Sequence, residues 1–431
     1  ARTKQNMRPQ KCVPVPGYRG WQAELFNTLA IVPSTGRTLD DFCQDAADVG
    51  DANTVISDLG GKYEAKNKGA SLIANWDLND KLSLKSISAW SYTDAEQDDE
   101  LDHVGIPFLH RTQSVHPQGA PRKTDQYSQE FQITGSAVGD RLNYVAGVYW
   151  FNEKTKGETS VSFLGPFEPA LAGWLYLNAP STKLDADNDA LATFAQLEWA
   201  WTERWRSTLG LRYTEETRKL TRDRYQLIPD TLDANGGDVV PLFGSSGLYD
   251  RSPDFVYNPQ FEYEFVDQTR AKNSNNDTTP MASVQYLIDG FEGIDAGTVY
   301  LTYSEGFLSG GLSEAPSGEL ENFEPEEVTN WELGFKLDLL DSTLRVNGAF
   351  YYSDYKNRQL TSLVINPVTN SPAPATVNAA KSTIKGFELE TLWFPIQNLQ
   401  LMFNMTLNDG KIDEFIDNQI TIADTSVPPA A

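Results

Sequence analysis

Long runs in which apolar and polar residues alternate constrain this chain more than any other feature of its sequence. From Trp331 to Leu339, large apolar residues at the odd positions alternate with polar or small residues such as Glu332 and Lys336. The same two-residue period recurs in several other segments: 130–134, 191–201, 205–213 and 399–407. Because successive side chains of a β-strand point to opposite faces, these runs predict strands with one apolar face. Capped helical patterns are nearly absent, so the sequence predicts an all-β fold.

The predicted strands are long, and the connections between them alternate in length. We place twelve strands at 69–78, 81–95, 124–135, 140–156, 187–202, 204–219, 278–289, 297–306, 327–340, 342–357, 381–394 and 398–411. Tight turns are expected at Asn79–Asp80, 137–139, Glu203, Asp341 and 395–397, and long loops at 96–123, 157–186, 220–277, 307–326 and 358–380. Strands of soluble proteins average about 5 or 6 residues, whereas a tilted membrane-spanning strand needs about 9–11. The pattern is therefore typical of an antiparallel transmembrane β-barrel, which must close because lipid cannot satisfy free backbone groups.

Alternation alone does not distinguish a membrane barrel from a large soluble β-protein such as a propeller or a jelly roll. A propeller would carry a repeat of about 40–50 residues, and none is visible. Strand length and loop asymmetry favour the barrel. We then expect an outward, lipid-facing set of Trp199, Trp201, Leu209, Leu211, Trp331, Phe335, Leu337, Leu401 and Phe403. We expect an inward set of Glu198, Arg206, Arg212, Glu332, Lys336 and Asn404.

Composition excludes several classes of protein. The chain carries 35 basic and 60 acidic residues, a net charge of −25, which argues against nucleic-acid binding because phosphate contacts need a basic surface. Aromatic residues make up 11% of the chain, too many for a disordered acidic protein. No run approaches the ~18 apolar residues of a transmembrane helix, and the first ten residues lack the apolar core of a signal peptide.

The two cysteines and three histidines are each confined to one segment. Cys12 and Cys43 lie in an irregular region rich in Pro, Gly and Asp. We expect them to form a disulfide bond in an oxidising compartment, although two unrelated thiols are the alternative. His103, His110 and His116 have neither helical nor zinc-finger spacing, so we interpret them as loop residues and predict no metal site.

Several motifs follow one another in order along residues 69–411. SQEFQITG (Ser128–Gly135) and LNYVAGVYWFNE (Leu142–Glu153) precede VYLTYSEGFLSGG (Val299–Gly311), a strand with Pro325, Glu326, Asn330, Glu332, Gly334 and Lys336, then YYSDYKNRQ (Tyr351–Gln359) and KGFELE (Lys385–Glu390). Together these motifs resemble the barrel of TonB-dependent outer-membrane receptors. The resemblance implies a barrel of about 22 strands around a plug domain, with a TonB box before the plug.

Measured against that family, the chain looks like an internal fragment of about 12 strands without a plug, a TonB box or the closing strand. We therefore expect an extracellular loop region at 1–68, a partial barrel at 69–411 and the start of a truncated extracellular loop at 412–431.

The family resemblance implies uptake rather than catalysis. Such receptors import scarce, bulky nutrients, most often ferric siderophores, with energy transmitted through TonB. The expected partners are outer-membrane lipid and lipopolysaccharide, TonB, and a nutrient ligand such as an iron chelate, in the outer membrane of a Gram-negative bacterium. We find no nucleophile elbow, zinc-protease motif, P-loop or dinucleotide fingerprint, and we expect no enzyme and no cofactor. A passive porin-like channel is the alternative; an adhesin is a third interpretation.

Loop residues supply weak candidates for ligand contact. Exposed aromatic rings can stack on a sugar or a siderophore, but they can equally pack the loops against each other. The candidates are Trp174, Tyr176, Phe243 and Tyr249. Acidic runs at 94–102 and at Asp185, Asp187 and Asp189 could in principle bind a cation, but a solvated loop is the simpler interpretation.

Overall fold

The computed structural model of the chain is dominated by one antiparallel β-sheet. It describes residues 2–6, 36–48, 62–100, 109–112, 121–163, 181–227, 263–314, 319–365 and 372–415. The elements are β1 (Arg2–Asn6), α1 (Leu39–Asp48), β2 (Lys62–Asn79), β3 (Leu82–Glu100), β4 (Leu109–Thr112), β5 (Arg122–Ala137), β6 (Leu142–Phe163), β7 (Ser181–Ala200), β8 (Trp205–Leu227), β9 (Tyr263–Ile288), β10 (Ala296–Leu308), β11 (Gly311–Glu314), β12 (Leu320–Phe323), β13 (Glu326–Leu339), β14 (Leu344–Ile365), β15 (Pro372–Ile396) and β16 (Leu399–Phe415).

Fourteen strands form the main sheet, and β11 and β12 form a separate two-stranded hairpin. Twelve of the fourteen strands are long, as predicted, at 13 to 26 residues. Each long strand pairs with its neighbours in sequence, while the short β4 continues the line of β5 by pairing β3 on one side and β6 on the other. Among the described residues, β1 and β16 are the two edges, and the sheet is not closed between them.

The predicted tight turns lie side by side at one rim of the sheet, called here the short-turn rim. Backbone hydrogen bonds connect adjacent turns: Ser136 N donates to Lys81 O at 3.0 Å, Ala200 N to Arg141 O at 2.8 Å, Leu287 N to Arg204 O at 2.8 Å and Phe394 N to Thr343 O at 2.8 Å. These bonds confirm the prediction that short connections share one rim. The long connections therefore leave from the opposite end.

Strands extend much further into the predicted long loops than the sequence pattern indicated. The segment 220–277 was predicted as loop, but β8 continues to Leu227 and β9 already begins at Tyr263. Likewise β2 begins at Lys62 rather than at 69. Most residues of these strand extensions are polar, with exceptions such as Tyr225 and Phe265, whose rings contact each other across β8 and β9. The extensions therefore lack the regular apolar alternation from which the strands were predicted.

Residues 39–48 form a helix that the sequence analysis missed. Thr38 caps α1: its N–H donates to Asp41 Oδ2 at 2.7 Å, and Asp41 N–H donates back to Thr38 Oγ1 at 3.2 Å. This reciprocal pair is a capping box with aspartate in the place of the usual glutamate. None of the described helical residues forms a segment long and apolar enough to span a membrane.

One face of the sheet is apolar and is bordered by two rows of aromatic side chains. The lower aromatic row, next to the short-turn rim, contains Trp76, Tyr144, Trp199, Trp205, Tyr286 and Trp393. The upper aromatic row contains Trp90, Tyr127, Trp150, Tyr213, Tyr303, Trp331 and Tyr352. Cross-strand partners such as Tyr303 and Trp331 place members of a row on the same face. Eight residues separate the two rows along β8, roughly 26 Å of strand and about 20 Å after tilting, close to the apolar band of a membrane barrel.

Aromatic side chains cover glycines on the neighbouring strand. A Cβ placed on Gly334 would meet the ring of its cross-strand partner Tyr300, and one on Gly348 would meet the ring of Phe335. The ring fills the space that the glycine leaves, and this pairing helps to fix the register between strands.

Candidate functional site

The polar face of the sheet carries the residues that could meet a solute. Glu198, Arg206, Arg212, Glu332 and Lys336, all predicted to point inward, lie on this face, opposite to the apolar side chains of the same strands. The predicted outward set lies on the apolar face, where Leu209 is 60% and Phe403 56% exposed. Trp201 differs slightly, because it lies in the turn at the short-turn rim and donates its indole N–H to Ser207 Oγ at 2.9 Å.

The β11–β12 hairpin lies across the polar face, beyond the level of the upper aromatic row. β11 contacts β8, β9 and β15, and β12 contacts β9 and β15. These strands lie on both sides of β10, β13 and β14 in the sheet, so the hairpin crosses the concave side of the wall. The sequence analysis had assigned this segment to a loop.

Two amide side chains hold the base of the hairpin. Gln359 Nε2 donates to the backbone oxygens of Leu308 at 3.3 Å, Ser309 at 3.1 Å and Glu324 at 3.2 Å. Asn378 accepts a bond from the Glu324 N–H at 2.7 Å and donates one to the Glu324 oxygen at 2.9 Å. Both ends of the hairpin are therefore fixed by groups on β14 and β15.

Polar contacts with β8, β9 and β15 also hold Ser309, Gly310 and Ser313. Ser309, only 4% exposed, donates its hydroxyl to Glu216 at 2.5 Å. Asn275 Nδ2 donates to the Gly310 oxygen at 3.4 Å, and Thr376 N–H donates to Ser313 Oγ at 2.8 Å. Together with the bonds from Gln359 of β14, these contacts connect the hairpin and its base to four strands of the wall.

Five arginines line the polar face of β8: Arg206, Arg212, Arg218, Arg222 and Arg224. Three of them pair with carboxylates. Arg206 lies 3.1 Å from Glu198, Arg218 lies 2.6 Å from Glu216, and Arg224 forms a charge-assisted pair with Asp267. Arg222 is 2% exposed and donates to Thr269 Oγ1 at 3.4 Å. This strand is the most basic part of the described wall.

Two of the acidic groups at the ends of the wall have lowered pKa values. The Arg224 guanidinium, by hydrogen bonding, lowers the pKa of Asp267 beyond the upper aromatic row. At the short-turn rim, hydrogen bonds from Lys81 and Ser136 lower the pKa of Asp140. Arg204 also lies at this rim and donates to Tyr286 Oη at 3.3 Å.

The acidic triplet of β7 is paired with cations rather than arranged around an empty space. Asp185 lies 2.9 Å from Lys156, and Asp187 and Asp189 both accept hydrogen bonds from Asn152 Nδ2. Within the described ranges, no group of three or more His, Cys, Asp or Glu side chains could hold a metal ion.

Most of the predicted site residues lie outside the described residues. These are the ligand candidates Trp174, Tyr176, Phe243 and Tyr249, together with Cys12. His103 and His116, which we interpreted as loop residues, also lie outside the described ranges. Cys43 is 5% exposed on α1 and is disulfide-bonded. The Cys12–Cys43 pairing itself stays a prediction, as does ligand contact by the four aromatic residues.

Comparison with known proteins agrees with this architecture. The family model described as TonB dependent receptor-like, beta-barrel, matches residues 17–429. A probable TonB-dependent siderophore receptor, PiuA of Acinetobacter baumannii, is 28% identical over 126 residues, which are 28% of this chain and 15% of that protein.

Solved structures with the same fold include two receptors. The ferric yersiniabactin uptake receptor FyuA from Yersinia pestis superimposes with a TM-score of 0.58 at 15% identity, over 84% of this chain and 45% of that one. The ferric-catecholate import receptor Fiu from K12 E. coli, in its closed form, gives a TM-score of 0.53 at 14% identity, over 85% of this chain and 50% of that one. This chain spans about half the length of these receptors. It belongs to the TonB-dependent receptor family, and the part of the family that it matches is the β-barrel.

Proposed function

We propose that the whole protein is an outer-membrane receptor of a Gram-negative bacterium that takes up a ferric siderophore with energy delivered through TonB. The observation that carries this proposal is the match of the barrel family to residues 17–429. The names of PiuA and of the two solved receptors support iron chelates as the substrate class. Family and fold are those of transport receptors rather than of enzymes.

The two faces of the wall support a place in the outer membrane. The apolar face between the aromatic rows suits lipid, and the polar face suits a water-filled lumen. At the upper aromatic row and beyond it, the outer side carries lysines that are paired with acids, such as Lys385 with Asp409 at 3.3 Å and Lys156 with Asp185 at 2.9 Å. Lysine ammonium groups at this level suit the phosphate layer of lipopolysaccharide, which we propose as a partner.

Uptake of ⁵⁵Fe by cells tests the proposal. A strain that depends on the full-length protein is supplied with ⁵⁵Fe bound to single siderophores of the catecholate, hydroxamate and mixed classes. We expect accumulation of at least one chelate, abolished by a protonophore and by deletion of tonB. Accumulation that persists without TonB would instead support a passive channel, and accumulation of none of the chelates would refute siderophore uptake.

A further inference from the structure

A cluster of polar side chains interrupts the apolar face of the sheet on β3 and β5. Ser88 Oγ donates to Gln129 Oε1 at 2.5 Å, and Gln129 Nε2 donates to Ser86 Oγ at 3.0 Å. Ser88 and Ser86 alternate along β3 with Trp90 of the upper aromatic row, and Gln129 is the direct cross-strand partner of Ser88. All three side chains therefore point outward with that row, and the polar cluster lies on the lipid side.

The position of the polar cluster is unusual for this face. Gln129 carries the one amide side chain that the described strands place on the apolar face between the two aromatic rows. Most other outward positions in this band hold apolar side chains, such as Leu209 on β8. Polar groups in contact with hydrocarbon are costly, and they commonly bind a partner within the membrane.

The polar cluster lies in a groove directly below the upper aromatic row. A cavity of about 420 Å³ opens over Ser88 and Gln129, within the range of about 300–1,000 Å³ found for small-molecule sites. Large apolar side chains from four strands line it: Leu72, Trp90, Tyr127 and Trp150. Because the groove opens from the face that meets lipid, the occupant that its location provides is an acyl chain.

The hydrogen-bonding capacity left in the polar cluster indicates which kind of acyl chain fits. Both Nε2 hydrogens of Gln129 are used, by Ser86 Oγ and by the Glu130 oxygen at 3.2 Å. The Ser86 hydroxyl accepts from Gln129, and no residue in the described ranges accepts its own hydrogen. Lone pairs remain on Ser88 Oγ and Gln129 Oε1. The polar cluster can therefore donate one hydrogen bond and accept another, which matches a hydroxyl group better than an ester carbonyl.

We infer that this groove binds a hydroxylated acyl chain of the lipid A part of lipopolysaccharide, with the hydroxyl of the chain on Ser86, Ser88 and Gln129. The groove lies next to the upper aromatic row, on the side away from the short turns, so the outer leaflet supplies the chain. Phospholipid chains carry ester carbonyls and no hydroxyl, and they match only the Ser86 donor. The inference rests on the proposed outer-membrane location and specifies how lipopolysaccharide is bound, but it is independent of siderophore uptake.

Photo-crosslinking measures the preference for a hydroxyl group. The full-length receptor is reconstituted in phosphatidylcholine vesicles with one of two diazirine lipids, which carry either a tetradecanoyl or a 3-hydroxytetradecanoyl chain. We expect the hydroxylated probe to label residues 84–90 and 127–133 about fivefold more than the other probe, as one net hydrogen bond provides. Both probes should label residues 331–337 of β13 equally, which reports lipid contact of the apolar face separately.

Gln129→Leu is the deciding variant, because it removes the amide and leaves a side chain that suits lipid. It should fold and should abolish the preference on β3 and β5. Thr193→Val is the matched control, since it removes a hydroxyl from the same face of β7, opposite Val148 and outside the groove. Heat-dependent electrophoretic mobility checks that both variants fold. Equal labelling by the two probes in the wild type, or a preference that persists in Gln129→Leu, would overturn the proposal.

Competition distinguishes lipid A from phospholipid as the source of the chain. Unlabelled lipid A should displace the hydroxylated probe from β3 and β5, whereas phosphatidylethanolamine at the same mole fraction should not. Equal displacement by both lipids, or none by lipid A, would refute the assignment to lipopolysaccharide. Because these measurements need neither iron nor TonB, they can succeed where siderophore uptake fails, and the reverse.

Discussion

The two faces of strand β8 differ in what they contribute. From Trp205 to Tyr213, the odd positions other than Ser207 are apolar and exposed, with Leu209 at 60%. The even positions carry the five arginines, three of which are paired with carboxylates. Because adjacent residues share one backbone, the same stretch of chain specifies both insertion in lipid and a charged lumen. The apolar and the charged surfaces of the sheet are therefore encoded at alternate positions.

The largest effect is expected from a charge placed in the middle of the apolar face. Leu209→Arg, halfway between the aromatic rows, should destabilise the barrel by about 2–4 kcal/mol because it places a charge in lipid. Thr208→Arg, one residue away on the polar face, should have little effect. The measurement is the amount of folded receptor in the outer membrane, from heat-dependent electrophoretic mobility. Similar losses in both variants would contradict the division of faces.

A smaller effect is expected where ring and glycine meet on the polar face. Gly334→Val would drive side-chain atoms into the Tyr300 ring, so we expect a loss of roughly 1–3 kcal/mol from overpacking. Gly410→Val, with nothing within 4 Å of its Cβ position, is the matched control. Urea unfolding of both variants in detergent or lipid gives the comparison. A loss at Gly410 equal to that at Gly334 would argue against ring packing as the cause.

Removal of the Gln359 amide at the base of the hairpin should destabilise the hairpin on the polar face and leave the strands of the sheet unchanged. Gln359→Ala deletes the donor to three backbone oxygens, and we expect a local cost of about 1–3 kcal/mol. Hydrogen exchange in 311–314 and 320–323 should become faster, with exchange in β13 unchanged. Gln400→Ala, an exposed glutamine of β16, is the control. Unchanged exchange in the hairpin would mean that other contacts hold it.

The smallest effect concerns pH at the outer end of β8. The folded-state pKa of Asp267 is lowered by Arg224, so the ionised carboxylate stabilises the fold above its ordinary pKa of 3.8. This stabilisation is lost as the pH falls through the lowered value. Asp267→Asn should therefore be less stable than the wild type at neutral pH and equally stable in strong acid. In an Arg224→Gln background the difference at neutral pH should shrink; a difference that stayed the same would exclude this ion pair.

Prediction from the sequence was accurate for the part of the sheet that faces lipid and inaccurate for the part that extends into water. Twelve long strands and their tight turns were predictable, because lipid imposes apolar alternation between the aromatic rows. The outer ends of β8 and β9 were not predictable, because beyond the upper aromatic row both faces of these strands are in contact with water. The local sequence pattern of such a polar strand does not differ from that of a loop.

The helix α1 and the β11–β12 hairpin differ in how far the sequence could have predicted them. The Thr38–Asp41 capping box of α1 was present in the sequence and could have revealed the helix. The β11–β12 hairpin, by contrast, is held by distant partners such as Glu216 and Gln359, and four-residue strands carry no periodic signal. The surroundings of Arg212, with the rings of Tyr149 and Phe194 from two neighbouring strands, likewise depend on the fold and could not be predicted from the sequence.

Cysteine accessibility along β13 tests the central claim, that the apolar face meets lipid and the polar face meets water. Single cysteines at 332, 334 and 336 and at 333, 335 and 337 are introduced into the full-length receptor in outer-membrane vesicles and treated with a charged, water-soluble thiol reagent. We predict that the even positions react and that the odd positions are protected. Reactive odd positions with protected even positions would contradict the account, because the strand would then present Glu332 and Lys336 to lipid.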